Sequence, residues 1–218
     1  MDENLQTDIL QPRVSARKRA VQDAAERLRA KDHLVVLTLA YLFCVTSLFA
    51  LLFAVAILDY FWVPVTAFAQ TVCVVAKCAF ATALFLGVML PLFAGRLRMA
   101  GLCAAGKRVT TAELFHYFGS VGVWWRGVRI ASLCLLGLVL PVLFSVPALA
   151  IGNESLSLRR VFVLSVGRVS LVDVLGFWGR TLVRFVLGLL TLGLLWLLYD
   201  AHHIPVVYFS LAMQEQTE

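Results

Sequence analysis

Leu34–Leu58, LVVLTLAYLFCVTSLFALLFAVAIL, runs for twenty-five residues without a charged side chain. About 20 apolar residues in an α-helix cross the roughly 30 Å of a bilayer's hydrocarbon, so this stretch reads as a first membrane span. Its composition is that of the whole chain. Of 218 residues, 61% are hydrophobic and 15% are charged, against about 45–50% apolar and roughly 25% charged in an ordinary soluble domain. Lipid offers no hydrogen bonds to the backbone, so apolar runs of this length must form helices or a closed barrel. The runs lack the period-2 alternation of a barrel, and helices follow.

Upstream, residues 1–33 form a polar segment. Val14 to Lys31 is rich in Ala, Arg, Glu and Lys, with a weak apolar stripe of Val14, Ala20 or Val21, Ala24 and Leu28. That pattern predicts a lead-in helix, solvated or lying in the interface. Asp23, Glu26 and Asp32 interrupt its positive charge, which argues against a nucleic-acid arm. No short apolar stretch near the start precedes a small-residue cleavage site, so the segment does not read as a signal peptide.

Downstream, Asp59-Tyr60-Phe61-Trp62-Val63-Pro64 reads as a turn with headgroup-level aromatics. Val65–Phe93 is a second span, interrupted in character only by Lys77. Gly95–Arg108 reads as a loop with Arg96, Arg98, Lys107 and Arg108 and no acid, while seven basic residues precede the first span. The positive-inside rule therefore puts the N-terminus and this loop in the cytoplasm of a multi-pass protein. The net charge of +6 is thereby a membrane signature, and no nucleic-acid partner is expected.

Thr110-Thr111-Ala112-Glu113 has the form of a capping box. The helix it would open puts Leu114, Phe118, Val121 and Trp125 on one face, with His116 and Arg126 off it. This predicts a second interfacial amphipathic helix. Val128–Gly152 contains Pro141 and Pro147 and is followed by Arg159, Arg160 and Arg168. A straight crossing would leave these arginines outside, so a re-entrant turn near Pro141 is favoured over a third span. Ser170–Leu192 and Gly193–Met213 then read as two further spans joined at Leu190-Thr191-Leu192-Gly193. The expectation is an all-α, polytopic protein with about four full spans and two interfacial helices. A single membrane domain covers residues 34–213, and residues 214–218 form a short polar tail.

Leu190-Thr191-Leu192-Gly193-Leu194-Leu195-Trp196-Leu197-Leu198-Tyr199, followed by Tyr208-Phe209, resembles the C-terminal pattern of a family of bacterial integral membrane proteins without an assigned activity. The family has an LTLGIG-LW-like turn, a Pro-Tyr pair and a later Phe-Tyr pair. Pro141–Ala150, Asn153-Glu154 and Leu158–Arg168 resemble its proline-rich stretch, acidic turn and amphipathic helix. Pro91-Leu92-Phe93-Ala94-Gly95 and Leu114-Phe115 resemble its first half. Leu198 stands where the family has Pro, and the last aromatic pair is reversed. The resemblance implies a helical fold in a bacterial cytoplasmic membrane and favours the hairpin near Pro141.

Ionisable residues within apolar runs are functional candidates. Lys77 reads as paired or snorkelling, or as part of a polar path. Asp173, Arg180 and Arg184 share a stripe at i, i+7 and i+11, suited to interhelical bonding or to lipid phosphate. Asp200, His202 and His203 could break a helix before Pro205 or serve a proton relay, but adjacent histidines point apart and no metal-ligand spacing is present. Arg96, Arg98, Arg126, Arg129, Arg159 and Arg160, with Lys107 and Arg108, would form a basic rim for anionic headgroups. Cys44, Cys73, Cys78, Cys103 and Cys134 show no CxxC pair and read as free thiols. No Walker loop, dinucleotide fingerprint or GxSxG is present, and no cofactor is expected. The sequence thus points to a non-enzymatic accessory or scaffold protein that contacts anionic lipid and a membrane-protein partner or a second copy. A small transporter with a path through Lys77, Asp200 and His202 is the alternative.

Overall fold

The architecture comes from a computed structural model, which describes residues 21–30, 33–61, 66–139, 151, 171–190, 193 and 199–214. Every regular element among them is helical. Helix α1 covers residues 21–29, α2 is His33–Phe61 and α3 is Ala67–Leu84. A π-helical turn, Phe85–Met89, leads without a break into α4, Leu90–Ala104. A 3-10 helix, Thr111–Phe118, precedes α5, Val121–Val139. Helices α6, Leu171–Leu190, and α7, Ala201–Gln214, complete the described chain.

Two helices among the described residues are long and apolar enough to cross a membrane, His33–Leu58 and the composite Ala67–Ala104. Helix α2 continues through Asp59 and Tyr60 to Phe61, so the first half of the expected Asp59–Pro64 turn is helical, and residues 62–64 lie outside the described residues. Thr66 caps α3 by accepting the Ala69 N–H at 3.2 Å, which satisfies one of the helix's orphan donors. The π turn has a local cause in Pro91, whose ring has no N–H for the Gly87 carbonyl and clashes with it. The helix widens over Phe85–Met89, and the indole Nε1–H of Trp124 donates to the Gly87 oxygen at 2.9 Å.

Helix α4 is the centre of the core. Leu90, Leu92, Ala94, Met99, Ala100, Cys103 and Ala104 are all buried, against α2, the 3-10 helix, α5 and α7. Close approach requires small residues here. A Cβ on Gly95 would land on the Leu114 carbonyl, and one on Gly127 would meet the Tyr117 ring at 2.7 Å. His33 and Tyr41 of α2 lie opposite Cys103 and Arg96, so α2 runs antiparallel to α4. Ala201 and Phe209 lie beside Arg96 and Gly101, so α7 runs in the same direction as α4.

Four further expectations change. The Gly95–Arg108 segment is helical through Ala104 and ends in a Schellman turn: Gly106 at φ +70° bonds Cys103, and the Lys107 N–H bonds the Leu102 carbonyl. Thr110 makes no side-chain cap, because the Glu113 N–H it would accept bonds the Thr110 carbonyl at 3.1 Å, and the Glu113 carboxylate is held by Arg98 Nε at 2.7 Å instead of reaching back. The hydroxyl cap lies ten residues on, where Ser120 Oγ accepts the Val123 N–H at 3.4 Å and opens α5. The single stripe Leu114, Phe118, Val121, Trp125 is therefore broken at Gly119-Ser120: Leu114 is buried and the other three are exposed. Finally, α1 is not a solvated lead-in, since Ala24 and Leu28 are fully buried in the core. At Gly193 φ is +78° and the N–H bonds the Gly188 carbonyl; the rest of the expected turn, residues 191–192, and the chain from 194 to 198 lie outside the described residues. Whether the chain re-enters near Pro141 lies outside the described residues.

Candidate functional site: a polar junction at the start of α7

Helix α7 contains Pro205, which cannot donate to the Ala201 carbonyl four residues before it. Arg96 of α4 supplies the missing donor, with Nη2 at 2.8 Å from the Ala201 oxygen. The same guanidinium lies over the Tyr41 ring, 4.4 Å from its centroid, a favourable placement for a cation. The device repeats the Pro91–Gly87–Trp124 arrangement. In each case a proline frees a carbonyl and a side chain from another helix takes it.

Around this bond the two histidines diverge, as adjacent residues on a helix must. His202 is buried and faces α2, with Nε2 at 3.2 Å from Thr38 Oγ and its ring edge-on to Tyr41 at 5.8 Å. Thr38 gives its own proton to the Leu34 carbonyl at 2.8 Å, so His202 Nε2–H is the donor between them. His203 is also buried, stacks on Tyr199 at 4.9 Å, and accepts at Nδ1 from Arg184 Nη1 at 3.1 Å. Arginine only donates, so the proton of the neutral His203 ring sits on Nε2. Arg184 Nη1 also bonds Asp200 Oδ1 at 2.9 Å, joining α6 to α7.

His33 forms a second node. Its Nδ1–H donates to the Arg27 carbonyl at 2.9 Å, closing the last turn of α1. Cys103 Sγ lies 3.7 Å from the same nitrogen. This pair is not a thiol with its base, because Nδ1 has its proton engaged by Arg27 and has no lone pair for the thiol's proton. Both side chains are buried. Among the described residues, no three His, Cys, Asp or Glu side chains converge as metal ligands, and all five cysteines are free thiols.

The structure brings Arg184, Asp200 and His203 together, and it brings Arg96 and His202 together on Tyr41. It does not bring Lys77 to them. Lys77 precedes Arg96 by nineteen residues of one helix, about 28 Å along its axis. Arg96 and Arg98 turn inward to Ala201 and Glu113 and do not form a rim. Lys107, Arg108 and Arg129 are exposed. Arg159 and Arg160 lie outside the described residues. Asp173 and Arg180 fall on α6, but their side chains lie outside the description.

Two bonding residues stayed hidden in the sequence. Arg96 was indistinguishable from a loop arginine, and Trp124 from an interfacial aromatic. The signal for both was a proline within a helical run, which obliges a foreign donor near the fourth residue before it. No protein-family model matches this chain, and no curated protein or solved structure is significantly similar to it.

Proposed function

We propose that this chain is an integral protein of a bacterial cytoplasmic membrane, with its N-terminus on the cytoplasmic side, acting as a non-enzymatic accessory or scaffold protein that contacts anionic lipid and a partner membrane protein. One observation carries this reading: beside a close-packed core around α4, the α2–α3 hairpin and α6 both present bare apolar faces. Along the hairpin, Phe49, Phe53, Phe68 and Val75 are exposed, a surface suited to lipid and costly in water. At the junction, Arg96, Arg98, Arg184 and Asp200 are engaged with other groups of the chain. Such pairing braces helices and leaves little for chemistry on a substrate.

The alternative, a small transporter with a polar path through Lys77, Asp200 and His202, is less favoured because these three residues do not form one cluster. Native mass spectrometry of the protein, extracted gently from its own membrane, tests the proposal. A stoichiometric membrane-protein partner with retained anionic lipid is expected. A bare protein retaining neither would overturn it.

A further inference from the structure

We infer that the elbow made by the 3-10 helix and the first turns of α5 docks into an anionic headgroup layer, setting the membrane plane at Phe43 and Gly87. The inference rests on the reading that α2 and α3 cross lipid. Four large apolar side chains project from this elbow: Val121 is 83% exposed, Phe115 48%, Trp125 47% and Phe118 41%. Surface hydrophobics are ordinary when scattered singly, but these fall within eleven residues of sequence.

Two contacts fix the elbow to the foot of the hairpin. The Phe115 ring packs edge-on to Phe43 at 5.5 Å, and Trp124 is held by the Gly87 carbonyl. Beyond that level the two arms have one length. Phe43 to the α2 terminus at Phe61 is eighteen residues, about 27 Å, and Gly87 back to Ala67 is twenty, about 30 Å. Each matches the roughly 30 Å hydrocarbon thickness. Tyr60 is exposed near the far end, so aromatics flank both borders as they do in spanning proteins.

Charge selects the lipid. Leu114 to Ile130 contains no acid but includes Arg126 and Arg129. Arg129 is exposed and lies 5.2 Å from the Trp125 ring centroid, where its fork can meet a phosphate while the indole enters the interface. Arg96 lies nine residues past Gly87, about 14 Å on the core side.

The test is depth-dependent quenching of tryptophan fluorescence. The full chain is reconstituted in phosphatidylcholine vesicles with or without phosphatidylglycerol, carrying bromine near the headgroup or near the chain ends. The Trp125 signal is the difference between wild type and Trp125→Phe, and Phe53→Trp reports on the arm. Shallow bromine should quench Trp125 at least about twofold more than deep bromine, and more in the anionic vesicles, with Arg129→Gln removing that preference. If Phe53→Trp escapes deep bromine, the membrane reading itself fails. If Phe53→Trp is quenched but Trp125 answers only to aqueous acrylamide, or is shielded from both quenchers by another protein surface, the docking inference is overturned. Equal quenching in neutral and anionic vesicles overturns the choice of anionic lipid.

Discussion

The helix from Ala67 to Ala104 is apolar on average, yet its two halves have opposite surroundings. In α3 only Cys73 of 18 residues is buried, whereas in α4 ten of 15 are. Alanine occurs in both α3 and α4, but glycine occurs only in α4, the buried one. The bare half presents Phe68, Val72, Val74, Val75 and Phe80, while the buried half carries Gly95, Gly101, Ala94, Ala100 and Ala104. Small residues let the 3-10 helix and α7 approach α4 until side chains and backbone interlock. Large apolar residues suit a surface that meets a deformable solvent. One helix thus serves both as an anchor and as the axis of a close-packed core.

A pair of glycine substitutions tests the contrast most severely. Gly95→Ala drives a methyl group onto the Leu114 main chain, and no rotamer relieves a clash with backbone. A loss of about 3 kcal/mol or more is expected, read as a lower denaturation midpoint in detergent. At Gly87, on the other side of the boundary, a Cβ meets nothing within 4 Å, and Gly87→Ala should be neutral or slightly stabilising through helix propensity. Equal losses at both sites would abolish the distinction between the halves.

The proline-freed carbonyls sharpen the comparison next. Arg96→Met should cost about 1–3 kcal/mol, because it leaves the Ala201 oxygen without its donor in a buried place. Pro205→Ala restores an N–H for that oxygen. In the Pro205→Ala background the cost of Arg96→Met should therefore fall by about 1 kcal/mol, measured as a double-mutant cycle. Strict additivity would show that Arg96 acts through Tyr41 and packing instead.

What could be read from the sequence follows from the range of the forces involved. The apolar hairpin was legible because uncharged length is a property of consecutive residues, and the turn residue Gly193 because only a local φ was needed. The Arg96–Ala201 bond joins residues 105 positions apart. Charge counting put Arg96 in a loop because it registers sign and ignores a carbonyl waiting on another helix. The glutamate half of the Thr110–Glu113 box failed for a related reason: its carboxylate had a stronger partner in Arg98, outside the local motif. The Ala24 and Leu28 stripe was visible as a pattern, but a pattern does not say whether lipid, water or protein covers it.

Arg184 and Asp200 separate bracing from lipid contact with a smaller effect. Their bond is partly exposed, so Arg184→Gln should cost about 1 kcal/mol or less, and Asp200→Asn about as much. The double variant should be no worse than either alone. Because Arg184 faces Asp200 and His203, retention of anionic lipid should not change in Arg184→Gln. A marked loss of bound lipid, read by mass spectrometry, would return this arginine to the role the helical stripe suggested.

The smallest expected effect concerns His116 in the elbow. Burial and the neighbouring Arg98 guanidinium hold its imidazolium below the ordinary 6.5, with Glu113 opposing in part. As pH falls, the unfolded chain therefore takes up this proton before the folded one does. The contribution to stability is fully present above about pH 6.5 and is lost as pH falls through the depressed folded value. His116→Gln should flatten that acid-side decline while leaving stability at higher pH almost unchanged. Since Arg98 also holds Glu113, the two effects are distinguishable: Arg98→Met should raise the His116 pKa toward its ordinary value, as read by NMR titration, and at the same time lower stability at every pH. A His116 pKa that ignores Arg98→Met would mean that burial alone depresses it, and that the elbow feels the charge of the core only weakly.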